Sequence, residues 1–191
     1  MSEDNTTGMA LVLKALDFAA RRHANQRRKG GRQVPYINHP VRVAYYLATV
    51  AGIEDPRLIA AALLHDTVED TPATIEDIRT EFGDDVAAIV AEVTDDKSLE
   101  KKTRKRLQIE HAPEVSWAAA QLKIADKLSN VADISEAPPE GWSMQRRREY
   151  LGWTEEVIDR LPERHPKLEA EYRRTLAEAK AGLKTEEEPQ R

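Results

Sequence analysis

Hydrophobic residues recur at helical spacing along most of the chain, and no segment alternates between apolar and polar residues as a strand would. Between residues 9 and 25, apolar side chains three and four positions apart stand opposite charged ones. Similar patterns predict further helices at residues 41–50, 57–70, 75–82, 84–92, 99–112, 116–134, 142–161 and 167–183. The pattern therefore predicts an all-α protein folded as a compact multi-helix bundle.

Polar residues and prolines mark where several of these helices should begin. Asn38 suits a helix cap, and Pro40 suits the first turn that follows it. Thr74 stands three residues before Asp77, an arrangement typical of a capping box. These local signals support the helix starts predicted from the apolar spacing.

Length and composition narrow the class of protein. With 191 residues, we expect a single domain over residues 8–183, with flexible termini at 1–7 and 184–191. The net charge of −5 disfavours a nucleic-acid binder. The absence of cysteine excludes disulfides and thiolate metal sites. No apolar run is long enough to span a membrane, so we expect a cytoplasmic protein that acts on small molecules.

The densest group of ionisable side chains directly follows an apolar run at residues 58–64. On one continuous helix, His65, Asp66, Glu69 and Asp70 would fall within an arc of roughly 140°. Placing this much polarity beside a core costs free energy unless a cation or a substrate shares the site. This helix face is therefore the leading candidate for a functional site.

Two further candidate ligands, His39 and Asp126, lie on other predicted helices. Taken singly, such residues are more often structural hydrogen-bonding or ion-pair partners. Together with His65 and Asp66 they form a nitrogen and oxygen donor set that suits Mn²⁺, Fe²⁺, Zn²⁺ or Mg²⁺. A cation of this kind polarises phosphoryl oxygens and activates water, and the acidic pair one turn further on could move the proton.

Two basic segments, residues 26–32 and 101–106, stand out in this acidic chain. Taken alone, each is more often a solvated loop or helix face. The two glycines in the first would also let backbone N–H groups approach a phosphate. With a metal site nearby, both segments could neutralise phosphate charge, so the residues favour a metal-dependent phosphohydrolase over a bare ion-pair network.

Five segments in unbroken order resemble the hydrolase domain of the RelA/SpoT family, within the HD superfamily of phosphohydrolases. They are residues 18–29 (FAARRHANQRRK), 35–40 (PYINHP), 61–71 (AALLHDTVEDT), 93–97 (VTDDK) and 123–130 (KIADKLSN). The length most resembles the small stand-alone alarmone hydrolases, the group that includes the metazoan SpoT homologue. The resemblance implies a helical HD-domain fold with a metal site between helices. It also implies Mn²⁺ as cofactor and hydrolysis of (p)ppGpp at the 3′ position, giving pyrophosphate and GDP or GTP.

The same resemblance assigns roles to ten residues. It implies that His39, His65, Asp66 and Asp126 bind the metal, that Glu69 and Asp70 are the catalytic acids, and that Arg28, Lys29, Asn130 and Tyr150 contact the substrate. Because the acidic pair is retained, an active hydrolase is favoured.

The chain also departs from the residues most often found in that family. The departures are Ser129, Val131, Ala132 and Leu151, together with the variable loop at residues 30–33, and the resemblance places these sites near the nucleotide pocket. They leave the metal chemistry intact and leave the choice of base open. Two alternatives therefore stand beside the alarmone hydrolase: a phosphatase for another nucleotide such as NADPH, and a non-catalytic nucleotide-sensing module.

Overall fold

In a computed structural model that describes residues 3–30 and 33–185, ten α-helices account for most of the described chain. They are α1 (Glu3–Arg22), α2 (Asn38–Tyr45), α3 (Pro56–Leu64), α4 (Thr67–Asp70), α5 (Ile75–Phe82), α6 (Asp84–Val93), α7 (Lys101–His111), α8 (Trp117–Glu136), α9 (Met144–Asp159) and α10 (Pro166–Thr185). A π-helix (Tyr46–Ala51) continues α2, and a 3₁₀ turn (Ala112–Glu114) follows α7. Within the described ranges, β-type pairing is limited to two isolated bridges. The predicted all-α class is confirmed.

Helix α8 forms the centre of the bundle. It packs against α2, α6, α9 and α10, and its leucine, isoleucine, valine and alanine side chains are buried on most of its surface. Helix α3 forms the second buried element, packed between α1, α2 and α6. Because α2, α3 and α8 all contact one another, polar side chains at their junction are brought together inside the protein.

Helix caps agree with the sequence at one predicted position and differ at another. The Thr74 side chain accepts a hydrogen bond from the Asp77 N–H, and the Asp77 carboxylate accepts one from the Thr74 N–H, so the capping box is present. Asn38 does not cap α2. It is already the first helical residue, its N–H donates to the Pro35 carbonyl, and Ile37 occupies the cap position without a side-chain bond.

The predicted helix at residues 57–70 is interrupted, so the single helix face proposed for its four polar residues is wrong. Helix α3 ends at Leu64, and α4 begins at Thr67. The Thr67 hydroxyl donates to the Leu64 carbonyl at 2.7 Å, and His65 Nδ1 lies 2.8 Å from the Ala62 carbonyl. In a continuous helix those carbonyls would pair with backbone N–H groups four residues on. Side-chain donors take their place and turn the chain at His65 and Asp66.

The ends of the described chain bear on the predicted termini. Helix α1 begins at Glu3, so residues 3–7 are helical, and α10 continues to Thr185. The remainder of both predicted termini, and Gly31 and Arg32 of the basic loop, lie outside the described residues. The domain limits of 8–183 stay a prediction. No helix in the described part of the chain is both long and apolar enough to cross a membrane.

Candidate metal centre and active site

Two histidines and two aspartates meet at the junction of α2, the α3–α4 turn and α8. His39 Nε2 lies 3.2 Å from Asp126 Oδ1 and 3.5 Å from Asp66 Oδ2. His65 Nε2 lies 3.2 Å from the same Asp66 oxygen and 3.9 Å from the same Asp126 oxygen. The two imidazole nitrogens and the two carboxylate oxygens therefore face one small space. Three of the four, His39, His65 and Asp126, have ligand atoms within 4.8 Å of one another.

The hydrogen bonds of the two imidazoles fit a metal site. Because a carbonyl can only accept, the contact between His65 Nδ1 and Ala62 places a proton on Nδ1 and turns Nε2 toward the carboxylates. That Nε2 atom is buried and has no hydrogen-bond partner. His39 Nδ1 lies 3.0 Å from the Ser129 hydroxyl, which orients the ring and can act as donor or acceptor. A divalent cation would give His65 Nε2 a partner, and the nitrogen and oxygen donor set suits one.

Each aspartate of the cluster is oriented by neighbouring donors. Lys127 Nζ lies 2.9 Å from Asp126 Oδ2, and the Asn130 amide donates to Asp126 Oδ1 at 2.6 Å. The Tyr36 hydroxyl lies 2.7 Å from Asp66 Oδ2. Bonds of this kind hold ligating carboxylates in place before a cation binds.

Burial and neighbouring charges set the protonation of the cluster. Burial lowers the pKa of His39. Burial alone would also lower the pKa of His65, but Asp66 and Asp126 raise it to about 9. Burial acts to raise the pKa of both aspartates, but neighbouring charges outweigh it. His65 keeps the pKa of Asp66 well below its usual range, and Lys127 and His39 do the same for Asp126. In the metal-free protein both carboxylates are therefore ionised, and His65 carries a compensating proton.

The predicted catalytic pair stands on the short helix α4 beside the cluster. Glu69 Oε1 lies 3.3 Å from Arg104 Nη1 and 3.4 Å from Lys97 Nζ, and Lys97 also donates to Asp70 Oδ1 at 2.6 Å. Burial raises the pKa of Glu69, and the charges of Asp95 and Asp66 raise it further. A carboxyl group whose pKa is raised in this way holds a proton more readily than a free one, which suits it to proton transfer.

A cavity of about 550 Å³ joins these groups. This volume is typical of a site for a small organic ligand. Nine of the ten residues assigned from the sequence line it, and the tenth, His65, lies buried behind Asp66. Residues that were predicted as separate metal, catalytic and substrate groups thus share one site.

Two of the predicted substrate contacts already have partners within the protein. Arg28 donates from Nε to Asp133 Oδ2 at 3.0 Å and from Nη2 to Asn130 Oδ1 at 2.8 Å. Asn130 in turn holds Asp126 through its amide nitrogen. The Arg28 charge is therefore presented to the cavity from a defined position, while the Lys29 side chain is exposed at the cavity edge.

The cavity also includes residues to which the sequence analysis gave no role, among them Tyr36, Asp95, Lys97 and Trp142. The first three fall inside the quoted motifs, where the ligand and acid positions drew the attention. Trp142 lies outside those motifs and is recognised from its contacts, because cationic side chains lie over its ring, with Arg146 at 4.4 Å from the ring centroid. The indole therefore forms part of a basic and aromatic wall of the cavity.

Ser129, Val131, Ala132 and Leu151, which depart from the RelA/SpoT pattern, do not themselves line this cavity, whereas Gly30 of the variable loop does. Their effect on the choice of base stays a prediction. Val131, Ala132 and Leu151 are buried in the core, and Ser129 supports His39 from behind. The cavity-facing positions of α8 are instead Asp126, Asn130 and their neighbours one turn apart. On α8, Val131 is turned about 140° away from Asp126, whereas Ser129, three residues after Asp126, stays beside the site and contacts His39.

A cluster of two buried histidines and two partly buried aspartates within a helical bundle is a candidate metal centre of the HD type, and a family comparison supports that class. The sequence model of the HD domain matches residues 15–152, well over half of the chain. The chain belongs to the HD-domain family.

Curated relatives lie close to this chain. The guanosine-3′,5′-bis(diphosphate) 3′-pyrophosphohydrolase MESH1 of Xenopus tropicalis is 55% identical over 152 residues, which are 80% of this chain and 85% of that protein. Human MESH1 is 50% identical over 160 residues, covering 84% of this chain and 89% of its own length. These identities extend well beyond the metal ligands.

Solved structures share the fold. The structure of a metazoan ortholog of SpoT, described as hydrolysing ppGpp and having a role in starvation responses, superposes with a TM-score of 0.86 at 44% identity. The alignment covers 88% of this chain and 95% of that one. The lmo0812 protein of Listeria monocytogenes superposes with a TM-score of 0.62 at 33% identity, over 74% of this chain and 97% of its own. The same helical architecture therefore extends from metazoan to bacterial relatives.

Proposed function

We propose that this chain hydrolyses (p)ppGpp at the 3′ position, releasing pyrophosphate and GDP or GTP. The observation that carries the proposal is the convergence of the His39, His65, Asp66 and Asp126 cluster and the Glu69–Asp70 pair on one cavity. The names of the relatives at 50–55% identity, and the description of the metazoan SpoT ortholog, support the same substrate.

Mn²⁺ is the cation that we propose for the cluster. His39, His65, Asp66 and Asp126 would hold it, and their mixed imidazole and carboxylate donors support a first-row divalent metal over pure Mg²⁺. When bound, such a cation supplies Lewis-acid chemistry, polarising phosphoryl oxygens and making water more acidic.

The reaction needs two proton movements, which we assign to the acidic pair. A water oxygen bonds to the phosphorus attached to ribose O3′, the bond from that phosphorus to O3′ breaks, and O3′ gains a proton. Glu69, whose pKa is raised by burial, accepts the proton from the attacking water. Asp70 lies beside it on α4, and together the two carboxylates can return a proton to the leaving oxygen.

The substrate contacts follow from charge and shape. Arg28 and Lys29 at the cavity edge would neutralise the diphosphate, and Asn130 would keep Arg28 and Asp126 aligned with it. The Tyr150 ring, 5.5 Å from the Trp142 ring, offers an aromatic wall for the nucleotide.

The acidic net charge and the cysteine-free sequence support a cytoplasmic enzyme with no nucleic-acid or membrane partner.

Product analysis tests the proposal directly. Mn²⁺-loaded protein is incubated with ppGpp and, separately, with NADPH, and the products are separated by ion-exchange chromatography. We expect GDP and pyrophosphate from ppGpp, whereas orthophosphate from NADPH alone would favour the other nucleotide phosphatase. Turnover of neither would favour a sensing module. A Glu69→Gln sample purified in parallel excludes a contaminating phosphatase.

A further inference from the structure

The Tyr36 hydroxyl lies between a metal ligand and a catalytic acid. It is 2.7 Å from Asp66 Oδ2 and 3.2 Å from Asp70 Oδ2. The Asp66 oxygen is the same atom that lies 3.2 Å from His65 Nε2 and 3.5 Å from His39 Nε2. One phenol therefore contacts both the oxygen that faces the cation site and the carboxylate beside it.

The protein holds this phenol in one place. The ring stacks on His23 at 4.8 Å between centroids, and the Arg28 guanidinium lies 5.5 Å from the ring centre. The Tyr36 N–H donates to the Gln26 carbonyl at 3.0 Å, and the Tyr36 carbonyl accepts from the His39 N–H at 2.9 Å. Contacts to the ring and to the backbone thus fix where the hydroxyl points.

A phenol has one proton, and here two carboxylates compete for it. Donation to one of them leaves the other without that hydrogen bond. Asp70 keeps a second partner in either case, because Lys97 donates to its other oxygen at 2.6 Å. Asp66 Oδ2 instead faces the two imidazole nitrogens of the cation site. How strongly this oxygen accepts a hydrogen bond therefore depends on whether a cation shares it.

We propose that Tyr36 is a positioning residue that couples the cation site to Asp70 through this shared hydrogen bond. Donation to Asp66 orients that ligand in the metal-free protein. A cation on Asp66 Oδ2 would make that oxygen a weaker acceptor, so part of the donation would shift to Asp70 while the remaining contact still orients Asp66. The role of Asp70 in turnover rests on the proposed function, but the coupling itself is measured without substrate.

The Tyr36→Phe variant removes the hydroxyl and keeps the ring with its packing. We expect its Mn²⁺ dissociation constant, measured by titration calorimetry on metal-free protein, to rise about tenfold or more, as when other groups that orient metal ligands are lost. We expect kcat for ppGpp to fall while KM changes little, because the hydroxyl contacts no predicted substrate group. The matched control is Tyr172→Phe, which removes a buried hydroxyl bond of 3.0 Å to Thr154 away from the cavity. It should lower the melting temperature and leave Mn²⁺ affinity unchanged.

A double-mutant cycle separates coupling from simple structural support. Asp70→Asn is made with and without Tyr36→Phe, and its effect on Mn²⁺ affinity should differ by at least about threefold between the two backgrounds. Equal effects would overturn the coupling, and unchanged affinity in Tyr36→Phe would overturn the positioning role. If the unsubstituted protein binds Mn²⁺ but leaves ppGpp intact, the proposed function fails while these affinities still decide the role of Tyr36. No Mn²⁺ binding by the unsubstituted protein would overturn both.

Discussion

His39 and Asp126 meet with 3.2 Å between Nε2 and Oδ1, although one lies in the first turn of α2 and the other within α8. The local sequence around either residue does not predict that the other will be its neighbour in the fold. Their contact closes a cluster in which the Nε2 atom of His65 is buried without a hydrogen-bond partner. The arrangement is explained if a cation completes it.

Removing one carboxylate should therefore remove the metal. We expect Asp126→Ala to lose bound Mn²⁺ because one of the two carboxylate ligands disappears, and the two imidazoles with the one remaining carboxylate hold the ion weakly. Metal content after gel filtration measures the effect, and Asp66→Ala should behave alike. The control is Asp85→Ala, which removes an exposed carboxylate 3.0 Å from Arg57 and should keep a full equivalent of metal. A full equivalent in Asp126→Ala would contradict the ligand set.

Glu69→Gln should separate metal binding from turnover. The amide keeps the size of the side chain but cannot accept a proton, so we expect turnover of ppGpp to fall on the order of 10²-fold or more. Mn²⁺ content should remain that of the unsubstituted protein. Glu110→Gln is a suitable control, since that carboxylate pairs with Arg106 on the exposed side of α7. A near-normal rate in Glu69→Gln would remove Glu69 from the mechanism.

Metal binding should release a proton. Asp66 and Asp126 overcome the effect of burial and raise the pKa of His65 to about 9, so near neutral pH this imidazole is protonated in the metal-free protein. Because a ligating nitrogen must be deprotonated, Mn²⁺ has to displace that proton. Burial lowers the pKa of His39, which therefore contributes no second proton. Calorimetry in two buffers of different ionisation enthalpy, at about pH 7.5, should show about one proton released.

The pH dependence follows with a definite sign. Apparent Mn²⁺ affinity should rise with pH by up to about tenfold per unit and level off near the raised pKa of His65. The pKa of His65 is above its ordinary value in the metal-free fold, so its protonation stabilises that fold below about pH 6.5, and this contribution is lost as the pH rises through about 9. Affinity that stays constant across this range would contradict the assignment.

The basic loop depends on one close backbone approach. A Cβ atom on Gly30 would lie 2.6 Å from the Ala137 carbonyl oxygen, so Gly30→Ala must displace the loop that carries Arg28 and Lys29. We expect a several-fold higher KM for ppGpp and a lower melting temperature. Gly152→Ala is the matched control, because an added Cβ meets nothing within 4 Å on that helix and alanine should add up to about 1 kcal/mol of stability. An unchanged KM in Gly30→Ala would contradict the role of the loop.

Most helices could be predicted because their signals are local. Helix α5 begins at Ile75 after the Thr74 capping box and ends at Phe82, as its apolar spacing indicates, and Gly83 separates it from α6 with a φ of 89°. Caps and turns of this kind depend on neighbouring residues alone. The break at His65 and Asp66 was missed because side-chain bonds to two carbonyls compete with a periodicity that favours one long helix.

The sequence by itself determined the helical class, the nitrogen and oxygen donors of the candidate metal site, and the acidic pair beside them. Only the tertiary structure decided which atoms meet. The packing of α2, α3 and α8 brings His39 to Asp126, places Tyr36 between Asp66 and Asp70, and turns Val131 into the core. Local periodicity assigns a residue to a helix face, but the neighbour of that face is set by contacts between segments far apart in the chain, which no single segment encodes.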